Sequence, residues 1–356
     1  MSIESLKNYV FTSKYSRYIP EKMRRETFEE AVERVMDMHR KYFSAKGLDI
    51  EDLLKVCEEA MKKRMVLGSQ RAMQFGGEPI LRKHARIYNC TTSYCDRTRF
   101  FQEALWLLLC GCGVGFSVQT HHVAKLPDMK RPMGANATFV VPDTIEGWSD
   151  ALGVLLSSYF VKDQPFPEYA GKIVHFDYSQ IRPKGRSIGS GMGRAPGPDP
   201  LHRSIELIRT LIDTRIEEGK TRLRSIDAYD ILMHASDAVL SGGVRRSATI
   251  CLFSPDDDLM ATAKTGNWFT DHPQRARSNN SAILLRNSTT HQQFAKLMKS
   301  VKEFGEPGFV WTDSLEMTFN PCGEIGLYPQ IDGVSGFAFC NLCEINMGIV
   351  LYGLHK

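Results

Sequence analysis

From residue 139 onward the chain alternates short apolar runs with amphipathic stretches of helical spacing. That alternation confines it to an α/β architecture, with strands covered by helices. ATFVVPDTIEGWSDALGVLLSSYF predicts a strand, a turn carrying Asp143 and Thr144, and a helix that buries Trp148, Leu152 and Leu155. KIVHFDYSQI predicts another strand, PLHRSIELIRTLIDTRIEEG and RSIDAYDILMHASDAVLSGG two further helices, and VRRSATICLF a strand containing Cys251. Between them, IRPKGRSIGSGMGRAPGPDPL gathers glycine, proline and arginine into an irregular loop of about twenty residues, a length more often functional than accidental.

The first eighty residues are helix-rich instead. ETFEEAVERVMDMHRKYFSAKG sets Phe28, Val32, Val35 and Met36 at helical spacing with Gly47 as a stop, and IEDLLKVCEEAMKKRMVLG repeats the pattern with Cys57 on its apolar side. ARIYNCTTSYC then reads as a short strand, with Cys90 inside it and Cys95 past its end. A helix follows at about Phe100–Leu109, and the glycine-rich CGCGVGFSV reads as a buried turn or strand in which Cys110 and Cys112 are structural. Its glycines lack the register of a dinucleotide fingerprint, and no Walker A sequence occurs.

Composition excludes several classes. The 356 residues suffice for a substantial core or two modest domains, and 45 Lys and Arg against 41 Asp and Glu leave +4, too little for a nucleic-acid-binding surface. The most apolar stretch is interrupted by Glu103 and a glycine cluster, so no membrane span is expected, and the N-terminus lacks a secretory core. Nine cysteines are an odd number and sparse, which points to a reducing, cytoplasmic setting.

Four motifs bear on chemistry. SPDDDLMATA carries three successive aspartates, read as a helix cap at Ser254–Asp256 in preference to a metal site. Gly242 and Gly243 ahead of Arg245 form either an anion-receiving or substrate-binding loop or a solvated surface turn. In FNPCGEI, Asn320, Cys322 and Glu324 alternate, so an extended loop turns an amide, a thiol and a carboxylate to one side. Cys340 and Cys343 form a CxxC, a redox dithiol or half of a zinc site, with no second CxxC to complete it. No metal ligand is assigned.

FNPCGEI followed by FCNLCEIN resembles the active-site segment of the ribonucleotide reductase large subunit. The likeness extends through RSNNSAIL at 277–284, SGGVRRSATI at 241–250, the 182–201 loop, GCGVGFSVQ at 111–119 and YNC at 88–90. YSRYIPEKMRRETFEEAVERV resembles the start of the adenosylcobalamin-dependent, class II branch, particularly its single-chain triphosphate reductases. The resemblance implies a helical region over 1–85, followed over 86–356 by the first half of a ten-stranded α/β barrel. Effector and specificity loops would lie at about 143–200, and a central finger loop at about 317–340.

By resemblance, Cys322 carries a thiyl radical that abstracts the 3′ hydrogen of a ribonucleotide, Glu324 is the base on the 3′ hydroxyl, and Asn320 holds the sugar hydroxyls. Cys90 and Cys340 deliver reducing equivalents and end as a disulfide, which leaves Cys343 as an inert core or neighbouring thiol. Asp143, Arg186 and Arg194 meet a deoxynucleotide effector. The implied cofactor is adenosylcobalamin, and the implied reductant is thioredoxin-like or another dithiol. A complete relative continues beyond CNLxEIN, so a C-terminal half-barrel chain is the expected partner, and no ATP-cone-like region precedes the barrel. A class I diphosphate-reductase portion and a non-catalytic nucleotide-binding remnant remain the alternatives.

Overall fold

The computed structural model describes residues 2–188, 194–240 and 248–349. The chain divides into two units, residues 1–89 with 340–356, and residues 90–339. In the first, α2 (Phe28–Ser44) and α3 (Glu51–Lys62) follow the helical spacing of the sequence, and α1 (Ile3–Lys14) and α4 (Gln70–Phe75) accompany them. Thr27 and Glu30 exchange side-chain-to-backbone hydrogen bonds at the start of α2, a capping box that satisfies two otherwise orphaned N–H groups. Val32, Val35 and Met36 then pack against Leu54, Met61, Ala72 and Met73, with half-buried Cys57 alongside them. Glu344–Ile345 pairs antiparallel with Val66–Leu67, which ties the segment after residue 340 to these helices.

The second unit begins with β1 (Cys90–Tyr94), α5 (Arg99–Cys110) and β2 (Gly113–Ser117). An excursion follows: α6 (Thr120–Val123), β3 (Asn136–Val140), α7 (Ile145–Tyr159), β4 (Ile173–Asp177), α8 (Asp199–Glu217) and α9 (Ser225–Leu240). β3 and β4 pair in parallel with α7 as their crossover, a βαβ unit of their own. The chain then adds β5 (Thr249–Phe253), β6 (Ser278–Leu285), α10 (His291–Phe304), β7 (Gly308–Thr312), the hairpin strands β8 (Thr318–Phe319) and β9 (Gly326–Leu327), and β10 (Phe337–Cys340).

The main sheet runs β7-β6-β5-β2-β1-β10, and its neighbours from β7 to β1 are all parallel. Every residue of β1, β2 and β5 is buried, as expected of parallel strands covered on both faces. One face meets the helices through Phe100, Phe116 and Tyr229, whose rings lie 6.0 and 6.4 Å apart in succession. On the other, Ile250, Leu252 and Ile283 form a small cluster with Phe319 of the hairpin. SPDDDL is a cap, as expected, but Asp257 is the residue that accepts the Met260 N–H, while Ser254 instead accepts the N–H of Thr120.

GCGVGF is only briefly a turn. Gly111 takes φ +88 and closes α5, and the strand resumes at Gly113. The later glycines serve close approach. A Cβ on Gly115 would stand 2.0 Å from the Phe319 carbonyl oxygen, and one on Gly113 would stand 3.1 Å from the Pro321 ring. The missing side chains are the space in which the hairpin lies.

Gly115→Ala is therefore expected to destabilise the protein by about 1–3 kcal/mol through overpacking against backbone, read as a lower denaturant midpoint. A second expectation comes from Asp230 on α9. Its carboxylate accepts Arg275 Nε at 2.9 Å and Nη2 at 2.7 Å, plus Gln274 Nε2 at 3.1 Å, with the Asp–Arg pair almost wholly buried. Asp230→Ala strands the guanidinium and is expected to cost about 3–5 kcal/mol, measured in the same way.

Candidate active site

The segment carrying Asn320, Cys322 and Glu324 is a tight hairpin. Thr318 pairs with Leu327 and Phe319 with Gly326. The Asn320 carbonyl accepts the Gly323 N–H at 2.8 Å, and its side-chain Oδ1 accepts the Ile325 N–H at 3.2 Å. Gly323 has φ +81, a conformation L side chains rarely adopt. The alternation expected of an extended loop does not survive this turn. Asn320 is fully buried and braces the loop, whereas Cys322 and Glu324 are exposed. A thiol thus stands at the tip of a hairpin whose root is sealed against the sheet.

That root is gripped by residues the sequence reading did not single out. The Leu315 carbonyl accepts Gln119 Nε2 at 2.8 Å, and the Glu316 carbonyl accepts the Tyr94 hydroxyl at 2.5 Å. The Glu316 carboxylate meets His121 Nε2 at 2.9 Å and His122 Nε2 at 3.2 Å. Burial pushes the His122 imidazole down to about 4, the adjacent His121 adds to this, and Glu316 opposes it. Burial alone raises Glu316, but its hydrogen bonds to the two imidazoles outweigh this and hold it below the usual carboxylate range. An ionised carboxylate only accepts, so both histidines donate through Nε2. The adjacent pair in QTHHV is visible in the sequence. Glu316 lies 195 residues from His121, and no local pattern links them.

Apart from half-buried Cys57, the remaining thiols fall into two environments. Cys90, Cys95, Cys110, Cys112, Cys251 and Cys340 are buried, and burial pushes the thiols of Cys95 and Cys251 well above their usual range. Cys90 opens β1. The Cys340 carbonyl accepts the N–H of Asn89 at 3.2 Å, and the Asn89 side chain accepts the Leu342 N–H. Cys343 is exposed, contrary to a core role, because its segment pairs only as a two-residue ladder.

Around the long loop, Asp143 is ion-paired with Arg182 at 2.6 Å. Gly185 and Arg186 exchange backbone hydrogen bonds with Ala195, and Arg194 Nη1 donates to the Gly185 carbonyl at 3.1 Å. Arg186 and Arg194 are both exposed, beside a short backbone bridge between Ser187 and Arg194. Gly242, Gly243 and Arg245 lie outside the described residues.

Residues 118–212, from the end of β2 into α8, match the family model of the B12-dependent ribonucleotide reductase insertion domain. An adenosylcobalamin-dependent ribonucleoside-triphosphate reductase of Lactobacillus delbrueckii subsp. bulgaricus is 27% identical, over 93% of this chain and 53% of its own length. A probable enzyme of the same description from Dictyostelium discoideum is 33% identical, over 50% of this chain and 22% of its own. A crystal structure of a B12-dependent (class II) ribonucleotide reductase superimposes with TM-score 0.79 at 22% identity, covering 97% of this chain and 56% of that one, and shares the fold. The chain spans about half the length of the curated relatives it matches most extensively. Over most of its length, this chain is similar to adenosylcobalamin-dependent ribonucleoside-triphosphate reductases, and within that length residues 118–212 match the insertion domain of the B12-dependent ribonucleotide reductases.

Proposed function

We propose that this chain is the catalytic N-terminal portion of an adenosylcobalamin-dependent ribonucleotide reductase, carrying the first half of a ten-stranded barrel and its finger. The observation that carries the reading is the exposed Cys322 thiol at the tip of a hairpin packed onto the sheet, in a chain homologous to these enzymes. The same exposure fits the cofactor, since a group as large as a corrin reaches only a thiol that projects, and Cys322 at the hairpin tip would be the residue that meets it. When bound, adenosylcobalamin supplies the radical.

The Cys322 thiyl takes the hydrogen from C3′ of a ribonucleotide and later returns it, so the residue is not consumed. Glu324, exposed beside it, takes the 3′-hydroxyl proton, which eases departure of the 2′ hydroxyl as water. Cys90 and Cys340 supply the two electrons and two protons and end as a disulfide. In sum, a ribonucleotide and two thiols give a 2′-deoxyribonucleotide, a disulfide and water. A thioredoxin-like or other dithiol then resets the pair. The buried Asn320 amide holds the turn and, in this reading, also the sugar hydroxyls. A deoxynucleotide effector meets the loop that Asp143 anchors through Arg182, with Arg186 and Arg194 toward its phosphates or base. A C-terminal chain supplies the second half-barrel.

The test is reduction of a ribonucleoside triphosphate with adenosylcobalamin and a dithiol, by this chain together with a C-terminal half-barrel chain. Cys322→Ala is expected to lower turnover roughly 10³-fold or more, as for residues that act as a unit. Turnover that persists in this variant removes the radical role, and dependence on a metal-bearing small subunit moves the chain to class I. Arg194→Ala is expected to weaken deoxynucleoside triphosphate binding about 5-fold or more in equilibrium dialysis, while leaving Cys322 exposed to thiol reagents.

A further inference from the structure

We propose that His121, His122 and Glu316 form a binding site for a first-row divalent transition-metal ion at the root of the hairpin. Their ligating atoms all lie within 4.8 Å of one another. Two imidazoles and one carboxylate are a donor set suited to zinc, iron or cobalt, with the remaining positions left to water. Metal–nitrogen bonds of about 2.0–2.1 Å bring donors to separations near those already present between His121 and Glu316 and between His122 and Glu316.

The surroundings are built for ligation as well as for hydrogen bonding. His122 is wholly buried, and its Nδ1 meets Ser117 Oγ at 2.9 Å. With Nε2 given to a metal, the ring proton moves to Nδ1, where Ser117 Oγ can accept it. That is the partner a ligating histidine ordinarily has behind it. Tyr94 stacks on the His122 ring at 4.1 Å and 21°, and its hydroxyl fixes the Glu316 backbone. Both sides of the site are thus positioned before an ion arrives. The His121 and Glu316 side chains are 37% and 35% exposed, which leaves a route for an ion and its waters. An ion here would pin α6 to the segment six residues ahead of Cys322. This inference does not depend on the role proposed for Cys322.

The test uses the full chain, freed of metal by a chelator and titrated with Co²⁺, then with Zn²⁺ in competition. One equivalent of Co²⁺ is expected, with ligand-field bands of nitrogen and oxygen donors and no thiolate charge-transfer band. Zn²⁺ is expected to displace it. His121→Ala, at an accessible position that tolerates truncation, and Glu316→Gln, which keeps shape, are each expected to weaken binding about tenfold or more. Equal affinity in the wild type and both variants, thiolate-ligated Co²⁺, or no binding at all would overturn the site and leave the three residues as a hydrogen-bonded latch.

Discussion

The backbone of Phe319 lies against Gly115 so closely that no side chain fits between them. The hairpin that carries Cys322 can rest on the sheet only because a central strand gives up its side chains there. Everything that positions Cys322 follows from that contact. Phe319 adds its ring to Ile250, Leu252 and Ile283, Pro321 sits over Gly113, and the tip turns outward at Gly323. A parallel strand buried on both faces would ordinarily be filled with branched residues. The departure from that composition marks where a second backbone must pass.

The hairpin is held at its root as well as along its length. Tyr94, Gln119 and the two histidines all reach the 315–316 backbone or the Glu316 carboxylate from the C-terminal ends of β1 and β2. Ligand and reaction sites in parallel α/β sheets gather at the carboxyl ends of the strands, and these residues follow that rule. The described residues on either side of 189–193 are restrained differently. The Arg182–Asp143 ion pair and a short backbone bridge leave Arg186 and Arg194 exposed, an arrangement suited to contact with a charged ligand.

Much of the fold was legible from residue order. The spacing of Val32, Val35 and Met36 located a helix, and Trp148, Leu152 and Leu155 located another, because each buried stripe repeats at the helical period. The motif around Cys322 also stands out in the sequence as a candidate for chemistry, with an amide, a thiol and a carboxylate within five residues. Its geometry does not. Period-two reasoning placed Asn320, Cys322 and Glu324 on one side, whereas the Asn320 amide binds the backbone of its own loop and closes a turn. In CGCGVGFSV the sequence leaves turn and buried strand unseparated, because isolated glycines look alike whether they serve a positive φ or a close approach. Cys343, expected as an inert core or neighbouring thiol, is exposed, which removes the core alternative.

Sequence alone determined the alternation of strands and helices, the capped helical region before residue 90, and the thiol and carboxylate on either side of Gly323. These are local properties, set by side-chain periodicity and backbone preference within a few residues. Tertiary structure decided which thiols are buried, that Asn320 is a brace, and that His121, His122 and Glu316 meet across 195 residues of chain. Those outcomes depend on which backbone passes which strand, and at Gly115 the deciding fact is a carbonyl from the far end of the chain occupying the space of an absent Cβ.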